Sequence, residues 1–286
     1  MRAMRFAVIG DPVSHSKSPV MHTAAFRALG LPHTYEALHV SEDELFAAVE
    51  RLRAGEFDGL NVTVPHKQRI LNFVNEVDES AALVGASNTL VRGLDGRVTA
   101  YNTDAAALAS ELRALGATAH QEASALVLGA GGAARSAIVA LSVFLGYARV
   151  VVRARAFSDS ELADAFRLDV TRRLASAGAE TTISTETLEP KREPFAVVVQ
   201  CTSAGMIGKD SGRSVAGAIA WDYLSPGAVA LDVIYAPPET DFLRAAAGVA
   251  VSGANGLGML VEQGAVAFQL WLGVDPPRPV MRVAIM

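Results

Sequence analysis

No stretch of the chain narrows the possible folds as much as ALVLGAGGAARSAIV, residues 125–139. An apolar run of strand character stops in glycines, and a helical pattern begins at once. Gly129, Gly131 and Ala134 stand in G-x-G-x-x-A spacing. After a strand and before a helix, that spacing has a mechanism. Gly129 permits the tight turn, Gly131 lets backbone approach a pyrophosphate, and Ala134 lets the helix pack closely on the strand. The helix N-terminus favours the phosphate charge. The following segments keep the rhythm. ARVVVRAR, PFAVVVQCTSAG and AVALDVIY read as apolar strands, TDFLRAAAG as a helix and VAVSG as a short strand. Strands alternating with helices imply a parallel sheet covered on both faces.

The end of the second strand of this sheet selects the nucleotide. An NAD site places an acid there, about 20 residues past the glycines, to bind the ribose hydroxyls. Here the residues are VVVRARAFSD, with Arg153 and Arg155 in that place and Asp159 beyond it. Guanidinium groups suit a 2′-phosphate, so the pattern predicts NADP over NAD.

The first hundred residues repeat the alternation with different content. MRFAVIGDP is a buried strand closed by a turn, and SPVMHTAAFRALG is a helix with Pro19 at its start and Gly30 at its stop. YEALHV is a strand. SEDELFAAVERLRAG is a helix with Ser41 and Glu44 at capping-box spacing. Residues 59–64 form a strand, and SNTLVRGLDGRVTAYN a hairpin around Asp95 and Gly96. TDAAALASELRALG is a helix that leads out of this region, and NGLGMLVEQGAVAFQLWLG is the final amphipathic helix. The polar segment 156–194 holds one helix near 160–176.

Hydrophobic residues make up 51% and charged residues 19%, which excludes a disordered chain. The net charge of −5 argues against a nucleic-acid partner. One cysteine, Cys201, rules out an intrachain disulfide and fits a reducing compartment. There is no 18-residue apolar stretch, and the N-terminal apolar run is too short for a signal peptide. The expectation is a cytoplasmic protein with no membrane contact. The six histidines show no metal-ligand spacing. Cys201 reads as a small buried residue. His15 and His66 read as packing or surface residues, since His66 and Lys67 would point opposite ways on extended backbone.

The polar motifs carry the chemistry as a set. GDPVSHSKSP, NVTVPHK, ASNTL, YNTD, GAGGAA, CTSAGM, DVIYAPPET and GLGMLVEQGAVAFQLWLG occur in this order. Together they resemble the shikimate dehydrogenase family (shikimate/quinate dehydrogenases) from about residue 6 to residue 273, most weakly across 156–220. The resemblance implies an α/β fold of two domains with a cleft between them. Residues 1–104 and 254–286 would form a discontinuous substrate-binding domain, and 105–253 a Rossmann NADP-binding domain. Ser14 and Ser16 would hold a substrate carboxylate, with Tyr235 near it. Asn61, Thr63, Asn88 and Gln263 would bond the ring hydroxyls, and Lys67 and Asp104 would form the catalytic pair. Gly129, Ala130, Gly131, Gly132 and Ala133 would cradle the pyrophosphate. Thr202, Met206 and Gly256 would also contact the nucleotide, the last two near the nicotinamide. The implied reaction is the reversible reduction of 3-dehydroshikimate to shikimate, a step of the shikimate pathway. The protein would act as a monomer or homodimer on a small polyol carboxylate.

Three features depart from the family pattern. Ala105 and Ala107 stand where glycines usually follow the NTD. Arg153-Ala154-Arg155 replaces Asn-Arg-Thr, so the arginine that usually clamps the adenosine phosphate is absent and two arginines flank its place. The segment 156–194 is long. A paralogue acting on quinate or an amino analogue would carry the same core motifs. A metabolite- or nucleotide-sensing protein on this fold would have no need of Lys67 and Asp104.

Overall fold

The computed structural model describes residues 2–118 and 123–286. The chain groups into two compact units, one of residues 1–104 with 260–286, the other of residues 105–259. The return to the first unit therefore falls inside the last long helix, a little beyond residue 254.

In the first unit the strands are β1 (Arg5–Gly10), β2 (Thr34–His39), β3 (Gly59–Val62), β4 (Glu76–Val77), β5 (Thr89–Arg92) and β6 (Val98–Tyr101). They form one sheet in the order β2-β1-β3-β5-β6-β4. β2, β1 and β3 are parallel, and β5 and β6 form the antiparallel hairpin. The helices are α1 (Ser18–Ala28), α2 (Leu45–Arg53), α3 (Glu79–Val84) and, at the passage to the second unit, α4 (Asp104–Ala114). Ahead of α2, Ser41 N–H and Oγ–H both donate to the Glu44 carboxylate, at 2.9 and 2.7 Å, which is the return half of the expected capping box.

The second unit holds β7 (Ser124–Leu128), β8 (Arg149–Arg153), β9 (Thr182–Glu186), β10 (Phe195–Gln200), β11 (Val229–Asp232) and β12 (Ser252–Ala254). All pair in parallel, in the order β12-β11-β10-β7-β8-β9. Counted from β7 this is the doubly wound order 3-2-1-4-5-6, which reverses between β7 and β10. Its helices are α5 (Gly132–Val139), α6 (Ser160–Ser176), α7 (Arg213–Ala216) and α8 (Asp241–Gly248). The helix α9 (Leu257–Leu272) carries the chain back, and α10 (Arg278–Ile285) packs on α1. No helix among the described residues is long and apolar enough to cross a membrane.

Five elements escape the sequence reading: β4, α3, β9, α7 and α10. β9 is TISTE, polar at most positions, and its polarity hid it within 156–194. α10 follows a proline-rich stretch, which masks the helical period. The strand expected at 59–64 ends at Val62. Its ladder to β1 still extends past that point, through Thr63 N–H to Ile9 O and Asp11 N–H to Val64 O, both 2.9 Å.

α9 docks on the first sheet through aromatic packing. Trp271 stacks on Phe6 at 4.7 Å and donates its indole N–H to Leu90 O at 3.0 Å. A Cβ at Gly59 would lie 2.2 Å from the indole nitrogen, so glycine is required for the strand to pass beneath the ring. His22 sits in the same cluster, stacked on Tyr35 at 4.4 Å and fully buried, with neither ring nitrogen hydrogen-bonded. Burial pulls its pKa from 6.5 down to about 3. Between those values the unfolded chain binds a proton that the folded chain refuses, so stability falls as pH drops below 6.5. The expected loss from His22 between pH 6.5 and 4.5 is about 2 kcal/mol. Urea midpoints at the two pH values, compared between the wild type and His22→Phe, measure it. The variant should lose that part of the acid sensitivity.

Candidate active site

The end of β3 opens a buried polar network in the first unit. Past Val62 the chain turns through residues 63–68. His66 is buried there, its Nε2 2.6 Å from Val40 O, and its amide donates to Thr63 O at 3.0 Å. The backbone here is a turn, so the argument from extended geometry does not apply, but His66 is still a packing residue. Lys67 O accepts from Ser87 N–H at 2.7 Å. With the backbone held on both sides, the Lys67 side chain reaches the first residue of α4. Its Nζ donates to Asp104 Oδ2 at 2.6 Å.

Both groups are withdrawn from solvent, with side-chain exposures of 14% for Lys67 and 3% for Asp104. A buried carboxylate is costly unless its lone pairs are served. The second oxygen, Oδ1, accepts from Asn88 Nδ2 at 2.9 Å. That amide nitrogen also lies 2.8 Å from Thr103 Oγ1 and 3.1 Å from Gln263 Oε1, three acceptors for two hydrogens. Asn88 Oδ1 accepts from Thr103 N–H at 2.8 Å, which fixes the amide orientation. Thr103 Oγ1 in turn donates to Gln263 O at 3.0 Å, fastening α9 to the hub.

Asn61 joins from β3. Its Nδ2 donates to Asn88 O at 3.0 Å and Thr89 Oγ1 at 3.1 Å, and its Oδ1 accepts from Tyr35 O–H at 2.7 Å. The structure thus brings Lys67, Asp104, Asn88, Gln263 and Asn61 into one network. Thr63 is half-buried beside it, where a Cβ on Gly10 would lie 2.4 Å from its methyl. Ser14 and Ser16 lie outside this network, on the loop after β1. Ser14 is exposed, and the Ser16 hydroxyl accepts from Ser18 N–H at 3.3 Å. The sequence reading missed Thr103 and Tyr35. Thr103 stands inside the NTD motif, between two residues already singled out.

The second unit, taken by itself, carries the glycine turn. Gly129 ends β7 with φ +111°, a conformation that side chains disfavour. A Cβ there would crowd Thr202 at 3.1 Å, so the turns after β7 and β10 meet at the reversal of strand order. Open ligand crevices form at that point. A Cβ on Gly131 would meet nothing within 4 Å, which leaves room at the N-terminus of α5 for a pyrophosphate. Ala130 is half-buried beside it, and Gly132 and Ala133 open the helix. These residues fit a dinucleotide. Met206 is half-buried on the loop after β10, and Cys201 is half-buried rather than fully buried as expected.

Tyr235 is half-buried on the loop after β11. Asp232 ties that loop, accepting from Ile234 N–H at 2.9 Å and Thr240 Oγ1 at 2.6 Å. Burial pushes the Asp232 carboxyl up to about 6 against these two bonds. Gly256 must be glycine, since a Cβ would lie 2.2 Å from Val233 O. Ala105 and Ala107 are buried on α4.

Arg153 corrects the sequence expectation. Its side chain is fully buried and does not present itself to a nucleotide. Nε donates to Glu186 at 3.0 Å and Nη1 to Ala218 O at 3.0 Å, with the guanidinium 5.4 Å from the Phe195 ring centre. Nη2 has no hydrogen-bond partner among the described residues and faces Glu193 at 3.7 Å. Only β9, which the polar segment concealed, supplies Glu186. Burial pushes the Glu186 carboxyl up, but bonds from Lys191 and Arg153 outweigh it and hold the group below the usual carboxylate range. Arg155 is exposed at 78%.

Known proteins carry the same pattern. The family description "Shikimate dehydrogenase substrate binding domain" matches residues 8–90, and "Shikimate 5'-dehydrogenase C-terminal domain" matches 256–286. A shikimate dehydrogenase (NADP(+)) of Citrifermentans bemidjiense is 41% identical over 97% of this chain and 93% of its own. The chain belongs to the shikimate dehydrogenase family. Among solved structures in this family, the shikimate 5-dehydrogenase of Thermus thermophilus, in complex with NADP(H) and shikimate, superposes with a TM-score of 0.79. It is 32% identical, over 99% of this chain and 98% of that one. A quinate dehydrogenase from Corynebacterium glutamicum in complex with NAD gives 0.80 at 27% identity, over 99% and 98%. Among the described residues of this family member, no group of acidic, histidine or cysteine side chains could hold a metal.

Removing the hydrogen-bonded counter-ion of a buried arginine leaves its charge with the more distant Glu193, at 3.7 Å, as the remaining carboxylate. Glu186→Ala should therefore destabilise the protein by about 3 kcal/mol, read as a lowered urea midpoint. An unchanged midpoint would mean that Arg153 is not held as described.

Proposed function

We propose that the protein is an NADP-dependent shikimate dehydrogenase, interconverting 3-dehydroshikimate and shikimate. The observation that carries this reading is the Lys67–Asp104 pair, 2.6 Å apart and locked by Asn88 beside Asn61 and Gln263. An acid–base pair edged with amides suits a ring alcohol flanked by further hydroxyls. Ser14 and Ser16 supply hydroxyls for the substrate carboxylate.

Held at residues 129–133, NADPH would supply the hydride that the carbonyl carbon takes up. Lys67, an ammonium with two N–H groups left after its bond to Asp104, gives a proton to the carbonyl oxygen as that oxygen becomes a hydroxyl. In oxidation the lysine, entering as the neutral amine, receives the hydroxyl proton. Asp104 holds the Nζ atom in place and stabilises its charge in both directions. Positioned proton transfer of this kind contributes about 10²–10⁴-fold to rate. Asn88 and Gln263 are fixed by each other, so the hydroxyls they bond also orient the ring. On the nucleotide side, the residues 129–133 receive the pyrophosphate, with Thr202, Met206 and Gly256 around the crevice.

A second reading, quinate oxidation with NAD, is favoured by one observation: Arg153 is withdrawn into the core, away from any 2′-phosphate. Initial rates at 340 nm, crossing shikimate and quinate with NADP and NAD, decide between the readings. The shikimate–NADP pair should give the largest kcat/KM. A larger value for quinate with NAD would replace the first reading with the second, and no turnover with any pair would remove both.

A further inference from the structure

We propose that Tyr35 is a positioning residue for the substrate: its hydroxyl fixes the Asn61 amide so that Asn61 meets the ring as a hydrogen-bond acceptor only. The ring then turns a hydroxyl, and not a carbonyl, toward Asn61. The inference deepens the reading of the site as one for a hydroxylated ring, and it rests on that reading.

Asn61 has little freedom left. Its amide faces Asn88 O at 3.0 Å, and a backbone carbonyl can only accept, so the nitrogen and not the oxygen lies on that side. The second N–H goes to Thr89 Oγ1 at 3.1 Å. Thr89 Oγ1 places its own hydrogen on Asn88 Oδ1 at 3.2 Å, so it receives from Asn61 and does not return the bond. Both amide hydrogens are therefore spent on Asn88 and Thr89, at the start of β5. On the other side, Asn61 Oδ1 accepts from Tyr35 O–H at 2.7 Å. An amide oxygen has two lone pairs, and the second is what Asn61 has left to offer a ligand.

Tyr35 is placed to hold this state. It stands on β2, level with Phe6 on β1 and Gly59 on β3, so its side chain crosses β1 to reach Asn61 two residues further along β3. His22 lies face to face on the phenol ring, 4.4 Å away and within 6° of parallel. Tyr35 is 6% exposed and Asn61 5%, so bulk water does not compete for the bond. Without the Tyr35 hydroxyl the amide is held at its nitrogen alone and can swing about its terminal torsion. The consequence is a polarity across the site. Lys67 brings N–H groups to the reacting oxygen, whereas Asn61 brings a lone pair, which a hydroxyl can use and a carbonyl cannot. A ring that carries both groups is bound with the carbonyl toward Lys67 and a hydroxyl toward Asn61.

Shikimate binding, measured by titration calorimetry on the full chain below the melting temperature of each variant, tests this. Tyr35→Phe removes one oxygen atom and keeps the stacked ring. It should weaken shikimate by about three- to tenfold, the worth of one hydrogen bond, and leave NADP⁺ affinity unchanged. In turnover it should raise KM for shikimate far more than it lowers kcat. Cyclohex-1-enecarboxylate keeps the ring acid and lacks the hydroxyls, so it should inhibit the wild type and Tyr35→Phe equally. Because Tyr35 acts through Asn61, the same change in an Asn61→Ala background should cost no further shikimate affinity. Undiminished shikimate affinity in Tyr35→Phe, an equal loss with NADP⁺ or with the hydroxyl-free acid, or the full loss repeated in the Asn61→Ala background would overturn the proposal and leave the assigned reaction standing. If Asn61→Ala does not fold, the kinetics of Tyr35→Phe decide, and a loss confined to kcat overturns the proposal. A wild type that binds NADP⁺ but neither binds nor oxidises shikimate would overturn the substrate reading and the proposal together.

Discussion

A carboxylate kept from water has to be answered at both oxygens, and Asp104 determines much of the first unit through that requirement. Lys67 answers Oδ2 and Asn88 answers Oδ1. Lys67 arrives from the turn after β3, Asn88 from the start of β5, and Asp104 itself opens α4. Gln263 comes from α9, far along the chain. Four separate segments therefore converge within a few ångströms. Such a charge pair is poor evidence for stability, because desolvation offsets most of its attraction. Its retention in a nearly buried place points to chemistry.

The apolar packing below the network makes the convergence possible. Trp271 lies on Phe6 over a glycine in β3, and this contact sets α9 on the sheet. The same aromatic cluster holds Tyr35, which donates to Asn61. His22 stacks on Tyr35, and its burial disfavours the charged ring. Core packing and site geometry are thus one continuous set of contacts in the first unit. In the second unit the link is topological. Strand order reverses between β7 and β10, and Gly129 and Thr202 stand at that reversal.

Much of this was legible in the sequence, for identifiable reasons. The parallel sheet followed from apolar runs ending in glycine turns, and of the capping box at Ser41 and Glu44 only the return bond from Ser41 N–H to the Glu44 carboxylate forms, since α2 begins one residue beyond Glu44. Asn61 stood out because a polar side chain on a strand gives a core nothing, whereas Lys67, Asn88, Asp104 and Gln263 were brought together by the resemblance of the ordered motifs to the shikimate dehydrogenase family. Arg153 was misread because sequence position places a Cα, while a long side chain can fold back along the sheet. Its direction depends on Glu186, in a strand whose polar residues gave no periodic signal. Thr103 was overlooked because its neighbours in the motif carried the more obvious chemistry.

The central claim is that Lys67 moves the proton while the amides around it hold the ring. Lys67→Ala, assayed for kcat and for shikimate affinity by calorimetry, addresses it most directly. The account predicts a kcat lowered by about 10²–10⁴-fold, with shikimate affinity changed far less. A variant that keeps near-normal kcat would contradict the role of Lys67. A variant that loses affinity and rate in parallel would make it a binding residue instead.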